Sequence, residues 1–108
     1  MSPRRRVLLD ENLAVRLRLW LPGVNAVTVE FMGWKSVRNG ELVRRARAEG
    51  FEVLVTADKV LALAPRAWAP LGCVLLTSNR TARIRAAAGE IEAACRVIQT
   101  GEVLTVQV

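Results

Sequence analysis

The chain has no histidine and no tyrosine, and its 108 residues hold only two aspartates and two cysteines. Without histidine there is no histidine-based nucleophile triad, no imidazole general base and no histidine-ligated zinc. The cysteines, Cys73 and Cys95, fall in apolar stretches and lack zinc-ligand spacing. They read as packing thiols of a protein kept in the reducing cytoplasm. No apolar segment has signal-peptide or membrane-spanning length, so no membrane is expected as a partner. Acid is scarce beside base: 10 acidic residues against 16 basic give a net charge of +6 and a pI near 11.0. Nearly all the base is arginine, whose planar fork suits phosphate. Nucleic acid is a natural partner for such a surface, although a basic solubility coat has the same composition. The run Arg4-Arg5-Arg6 reads either as an arm on a phosphate backbone or as a solvated terminus.

What is present is a core. With 52% hydrophobic residues the chain fills one domain over 1–108. Continuous apolar runs predict strands buried on both faces: Arg6–Asp10, Ala26–Glu30, Glu52–Thr56, Leu71–Thr77 and a last strand at Glu102–Val106. Between them lie helical stretches. Asn12–Leu21 carries Leu13, Leu17, Trp20 and Leu21 on one face before the stop at Pro22-Gly23. A helix opened by Asn39 carries Leu42, Val43 and Ala46 and ends at Gly50. A short helix or turn follows Asp58. Thr81–Ile98 is the longest helix, with the stripe Ile84, Ile91, Cys95 and Ile98. Alternating strands and helices predict an α/β fold: a mainly parallel five-stranded sheet, order 2-1-3-4-5, helices on both faces. That order reverses between strands one and three, where open α/β sheets collect their chemistry.

Both aspartates sit where an apolar strand runs out, Asp10 after strand one and Asp58 after strand three. The expected order makes them neighbours. Each also has a plain reading, as a helix cap accepting backbone N–H bonds. For Asn12 the cap reading leads, and Glu11 is expected to face outward. Glu41, in the first turn of its helix, is one place short of a reciprocal capping box and joins the two aspartates as a third candidate acid. Thr77-Ser78-Asn79-Arg80 ends strand four. Its hydroxyls and amide would hold a water, a metal's outer ligands or a phosphate oxygen, or else cap the long helix. Hard oxygen donors of this kind fit Mg2+ or Mn2+, with substrate phosphate completing the ligand set.

The blocks LLDENL at 8–13, GWKSVRNGEL at 33–42, VLVTADK at 53–59 and LLTSNR at 75–80, with GEVLTV at 101–106, resemble a family of short bacterial PIN-like proteins. The similarity covers nearly the whole chain. It implies a three-layer PIN-like sandwich and the activity of its superfamily: metal-dependent ribonucleases, including toxins of toxin–antitoxin pairs. It further implies that Asp10, Glu41 and Asp58 match the acidic metal-binding positions. Thr56 would match the hydroxyl residue before the last acid, and Asn79 the polar position ending strand four. The chain departs from the pattern in offering three acids where such nucleases usually bring four.

The leading expectation is therefore an Mg2+- or Mn2+-dependent hydrolase of RNA phosphodiesters. Asp10, Glu41 and Asp58 would be its metal-binding and catalytic residues, supported by Asn12, Thr56, Ser78 and Asn79. Trp34, Lys35, Arg38, Lys59 and Arg80 are the expected nucleic-acid contacts. For Trp34 the alternatives are stacking on a base and packing under its own loop. The competing expectation is a non-catalytic module of the same fold that binds nucleic acid or a protein. A phosphoacceptor receiver domain shares the strand order but wants a lysine ending strand five, where this chain has Val106-Gln107-Val108. The partners expected are RNA, a cognate antitoxin or other protein, and a second copy. The apolar stretch around Trp68 reads either as a partner surface or as a loop folded on itself.

Overall fold

The computed structural model describes residues 4–65 and 68–108. Strands β1 (Arg6–Leu9), β2 (Asn25–Thr28), β3 (Phe51–Thr56), β4 (Gly72–Leu76) and β5 (Val103–Val106) form one sheet in the order β2-β1-β3-β4-β5. Every neighbouring pair is parallel. This is the α/β architecture and strand order expected from the alternation of elements.

The apolar runs are explained by two covered faces. Successive strand residues point to opposite sides of a pleated sheet. Val7, Leu9, Val53, Val55, Val74 and Leu76 face one core. Leu8, Leu54, Cys73 and Leu75 face the other. The first core is closed by a 3₁₀ helix (Val15–Trp20), α3 (Thr81–Ala86) and α4 (Ala88–Val97). The second is closed by α1 (Asn39–Ala48) and α2 (Lys59–Ala62). The result is a three-layer sandwich.

Two helices differ from expectation. The Asn12–Leu21 segment is not one α-helix. Leu13 N–H bonds the Asp10 carbonyl at 3.1 Å, and Ala14 then adopts extended geometry (φ −63°, ψ 135°). Only the six residues Val15–Trp20 remain to coil before Pro22, and they take the tighter 3₁₀ form. Leu13, Leu17 and Leu21 still reach the core, which is what their spacing recorded. The long helix is broken at Ala87 (φ −100°, ψ 10°), whose N–H is shared between the Arg83 and Ile84 carbonyls. Gly89, two residues on, is the weak helix former here, about 1 kcal/mol poorer than alanine. Bending lets α3 lie on the 3₁₀ helix, Arg85 over the Trp20 ring, while α4 continues along β4 and β5. Ile84 and Ile91 are both fully buried.

Within the arginine run, Arg5 and Arg6 are neither a free arm nor a frayed end, while Arg4 is exposed. Arg5 donates to the carbonyls of Cys95 (3.0 Å) and Ile98 (2.6 Å), closing the carboxyl end of α4. Arg6 donates to the Glu49 carbonyl at the end of α1 and lies over the Phe51 ring. Cations at helix carboxyl ends satisfy orphan carbonyls and the dipole together. Gly50, at φ +82°, takes the left-handed turn out of α1. Arg38, not Asn39, occupies the N-cap position of that helix; capping by the Asn39 side chain lies outside the described residues. Trp68 is fully buried and its indole N–H donates to the Ala62 carbonyl, so this ring packs into the domain rather than onto its surface. Among the described residues no helix is long and apolar enough to cross a membrane.

Candidate functional site

The site begins with strand register. Leu9 of β1 is the partner of Val55 of β3, and the next residue's N–H, Asp10, donates to the Val55 carbonyl at 3.0 Å. Asp10 therefore leaves the sheet alongside Thr56. The fully buried Thr56 hydroxyl donates to Asp10 Oδ2 at 2.7 Å and accepts the Asp58 N–H at 3.0 Å. One hydroxyl thus links the Asp10 carboxylate to the Asp58 backbone. Asp10 Oδ1 accepts the N–H of Glu11. Asp58 Oδ1 accepts the N–H groups of Val60 (2.9 Å) and Leu61 (3.2 Å), making Asp58 the N-cap of α2. The capping reading and the strand-end placement are both true of Asp58, because capping uses only Oδ1. Oδ2 makes no hydrogen bond among the described residues.

Glu41 is placed differently. Its carboxylate pairs with two arginines of its own helix, with Arg45 Nε at 3.0 Å and with Arg44. Among the described residues no three Asp, Glu, Cys or His side chains are grouped so as to hold a metal ion. The structure puts Asp10 and Asp58 at the carboxyl ends of the adjacent strands β1 and β3 and leaves Glu41 paired with arginines on α1. Two carboxylates still suit a small hard dication. Mg2+ commonly uses one or two protein carboxylates and fills its octahedron with water and substrate phosphate.

The remaining expected residues divide. Asn12 is exposed and does not cap the 3₁₀ helix, whose N-cap position is Ala14. Thr77 Oγ1 accepts the Val108 N–H at 2.9 Å and so anchors the chain end after β5. Ser78 Oγ accepts the Arg80 N–H at 3.1 Å, shaping the turn into α3, while Asn79 and Arg80 are exposed. Lys35, Arg38 and Lys59 are exposed as well. Trp34 is not a surface platform: it is 8% exposed and meets Phe51 edge-on at 6.0 Å, so its packing reading holds. The exposed aromatic at this edge is Phe31, to which the sequence assigned no role. Only the packing of the loop distinguishes the two rings.

Beneath the site the Cys73 thiol is pushed up to about 12, by burial first and then by the Asp10 charge. It is an inert packing group at neutral pH. The Cys95 thiol is likewise raised to about 12 by burial, with Arg5 pulling the other way. Both cysteines are buried and free, in keeping with the packing role expected of them.

Comparison with family models, with curated proteins and with solved structures finds no match to this chain. The functional reading therefore stands on the residues themselves.

Proposed function

We propose that the chain is a PIN-like, Mg2+- or Mn2+-dependent endoribonuclease with Asp10 and Asp58 as its metal-holding pair. One observation carries the reading: the Asp10–Thr56–Asp58 hydrogen-bond chain at the carboxyl ends of adjacent parallel strands, in a protein of net charge +6. When bound, the cation supplies a water of lowered pKa and a clamp on phosphate oxygens. The chain's own groups do the rest. Thr56 holds one Asp10 oxygen, Asp58 Oδ2 makes no hydrogen bond among the described residues, and Lys59 and Arg80 offer charge to the phosphates on either side. Glu41 joins the site as metal ligand or water-orienting group by exchanging its arginine partners. A toxin role and a cognate antitoxin rest on the family resemblance alone.

The test is cleavage of end-labelled mixed RNA in Mn2+, Mg2+ and EDTA, with wild type and Asp10→Asn side by side. Metal-dependent cutting that disappears in the variant is the expected result. Equal cutting by both proteins would sink the assignment.

The Arg44 and Arg45 pairing of Glu41 favours a second reading, a non-catalytic module of the same fold. That module binds RNA with strong salt dependence and turns nothing over with any divalent metal.

A further inference from the structure

Phe31 is the one strongly exposed aromatic among the described residues, at 80%; Trp34, Phe51 and Trp68 are buried and Trp20 is partly so. Its position is built. The Thr28 hydroxyl accepts the Phe31 N–H at 3.0 Å, and the Thr28 carbonyl accepts the Met32 N–H. Thr28 is the partner of Leu9, the residue before Asp10. The turn carrying Phe31 therefore leaves the sheet at the same edge as the acid pair. Phe31 lines a groove of about 500 Å³ together with the β2 residues Asn25–Thr28, Val15 and Arg18 of the 3₁₀ helix, and Glu30.

We propose that this groove receives a nucleotide of single-stranded nucleic acid, its base stacked on Phe31 and its flanking phosphate on Arg18. The inference rests on the nuclease reading for the strand's onward path to Asp10 and Asp58, but the binding itself needs no metal. Three observations select this occupant. An exposed ring and an arginine lining one groove suit a single strand, because every base has a face to stack and a phosphate to hold. Arg16 and Arg18 are exposed and have no acid partner among the described residues. The chain's net charge of +6 attracts a polyanion and opposes a second copy of itself. Glu30 repels phosphate, which orients the strand: the base lies toward Glu30 and Phe31, the backbone toward Arg18.

The test is anisotropy of a labelled ten-nucleotide mixed RNA in EDTA, titrated with the full chain at several salt concentrations. Phe31→Ala is expected to weaken binding on the order of tenfold to a hundredfold with the salt slope unchanged, and Phe31→Trp to restore it. Arg18→Ala is expected to reduce the salt slope by about one. Both side chains are exposed, so folding is not at stake. Phe31→Ala binding like wild type overturns the inference and leaves the nuclease reading intact if wild type still cuts. Wild type failing to bind any single strand in EDTA overturns the inference, while the nuclease reading is decided by the cleavage assay. Sedimentation velocity is the second arm: a wild-type dimer that Phe31→Ala converts to monomer makes the groove a self-association surface and also overturns the inference.

Discussion

Replacing Thr56 by valine keeps the shape of a fully buried strand residue and removes one oxygen. That oxygen makes two hydrogen bonds, donating to Asp10 at 2.7 Å and accepting the Asp58 N–H at 3.0 Å. A bond to a charged group is worth about 1.5–3 kcal/mol and an ordinary one about 1 kcal/mol. Asp10 is only partly buried and Asp58 is exposed, so water recovers some of this. A net loss of about 2 kcal/mol follows. In a domain of this size each kcal/mol moves Tm by about 4–8 °C, so Thr56→Val should melt about 8–16 °C lower. Urea unfolding is the cleaner assay: the midpoint falls and the slope m is unchanged, because the exposed surface is the same. Thr56→Ser keeps the hydroxyl and loses a methyl, and should cost only about 1 kcal/mol. The proposed metal site adds a second reading of the same variants. Mg2+ at about 100 times its Kd stabilises the native state by about 2.7 kcal/mol, and this increment should shrink in Thr56→Val. A Thr56→Val midpoint within about 0.5 kcal/mol of wild type would refute the claim that this hydroxyl links the Asp10 carboxylate to the Asp58 backbone.

Three further predictions concern the core. Both thiols rise from 9.0 to about 12 in the folded protein, so the native state keeps protons that the unfolded chain releases. Their contribution is whole below about pH 9 and declines as pH climbs toward 12; urea midpoints at pH 8, 9 and 10 should fall in that order, and a flat series contradicts the assignment. At pH 8 neither cysteine should react with a thiol reagent until the chain is unfolded, because the thiolate is the nucleophile. Gly72→Ala should destabilise by about 1–3 kcal/mol, measured by the same unfolding assay. Its new methyl would meet the Gln99 carbonyl oxygen at 3.0 Å, and a backbone atom has little room to yield.

The sheet was legible because its strands are buried on both faces, and burial on both faces leaves a continuous apolar run. That the strands ending at Asp10 and Asp58 are neighbours was legible for the same reason, since strand order follows from alternation and the acids simply end the runs. Other features depended on packing that no local pattern encodes. Leu13, Leu17 and Leu21 face the core equally well from a 3₁₀ helix as from an α-helix, so their spacing is silent on the type. The stripe through Ile84 and Ile91 survives a bend at Ala87 because both halves bury the same side. Arg5 and Arg6 read as surplus charge until the ends of α4 and α1 arrive beside them. Trp34 and Phe31, three residues apart in one loop, have opposite fates that only the fold of that loop decides.

The two functional readings turn on Glu41, and its position makes them closer than its ion pairs suggest. Arg6 at the start of β1 reaches the Glu49 carbonyl, so the end of α1 lies at the amino edge of the sheet. The ten-residue helix therefore points its first turn, with Glu41, toward the carboxyl edge where Asp10 and Asp58 sit. Its bonds to Arg44 and Arg45 are surface ion pairs on side chains 77% and 47% exposed. Pairs of that kind are worth at most about 1 kcal/mol, less than a dication or a phosphate offers either partner. An arginine released from Glu41 becomes a phosphate contact, and a Glu41 released from arginine becomes an oxygen donor. RNA and metal would then favour the same exchange, each making the other's ligand available.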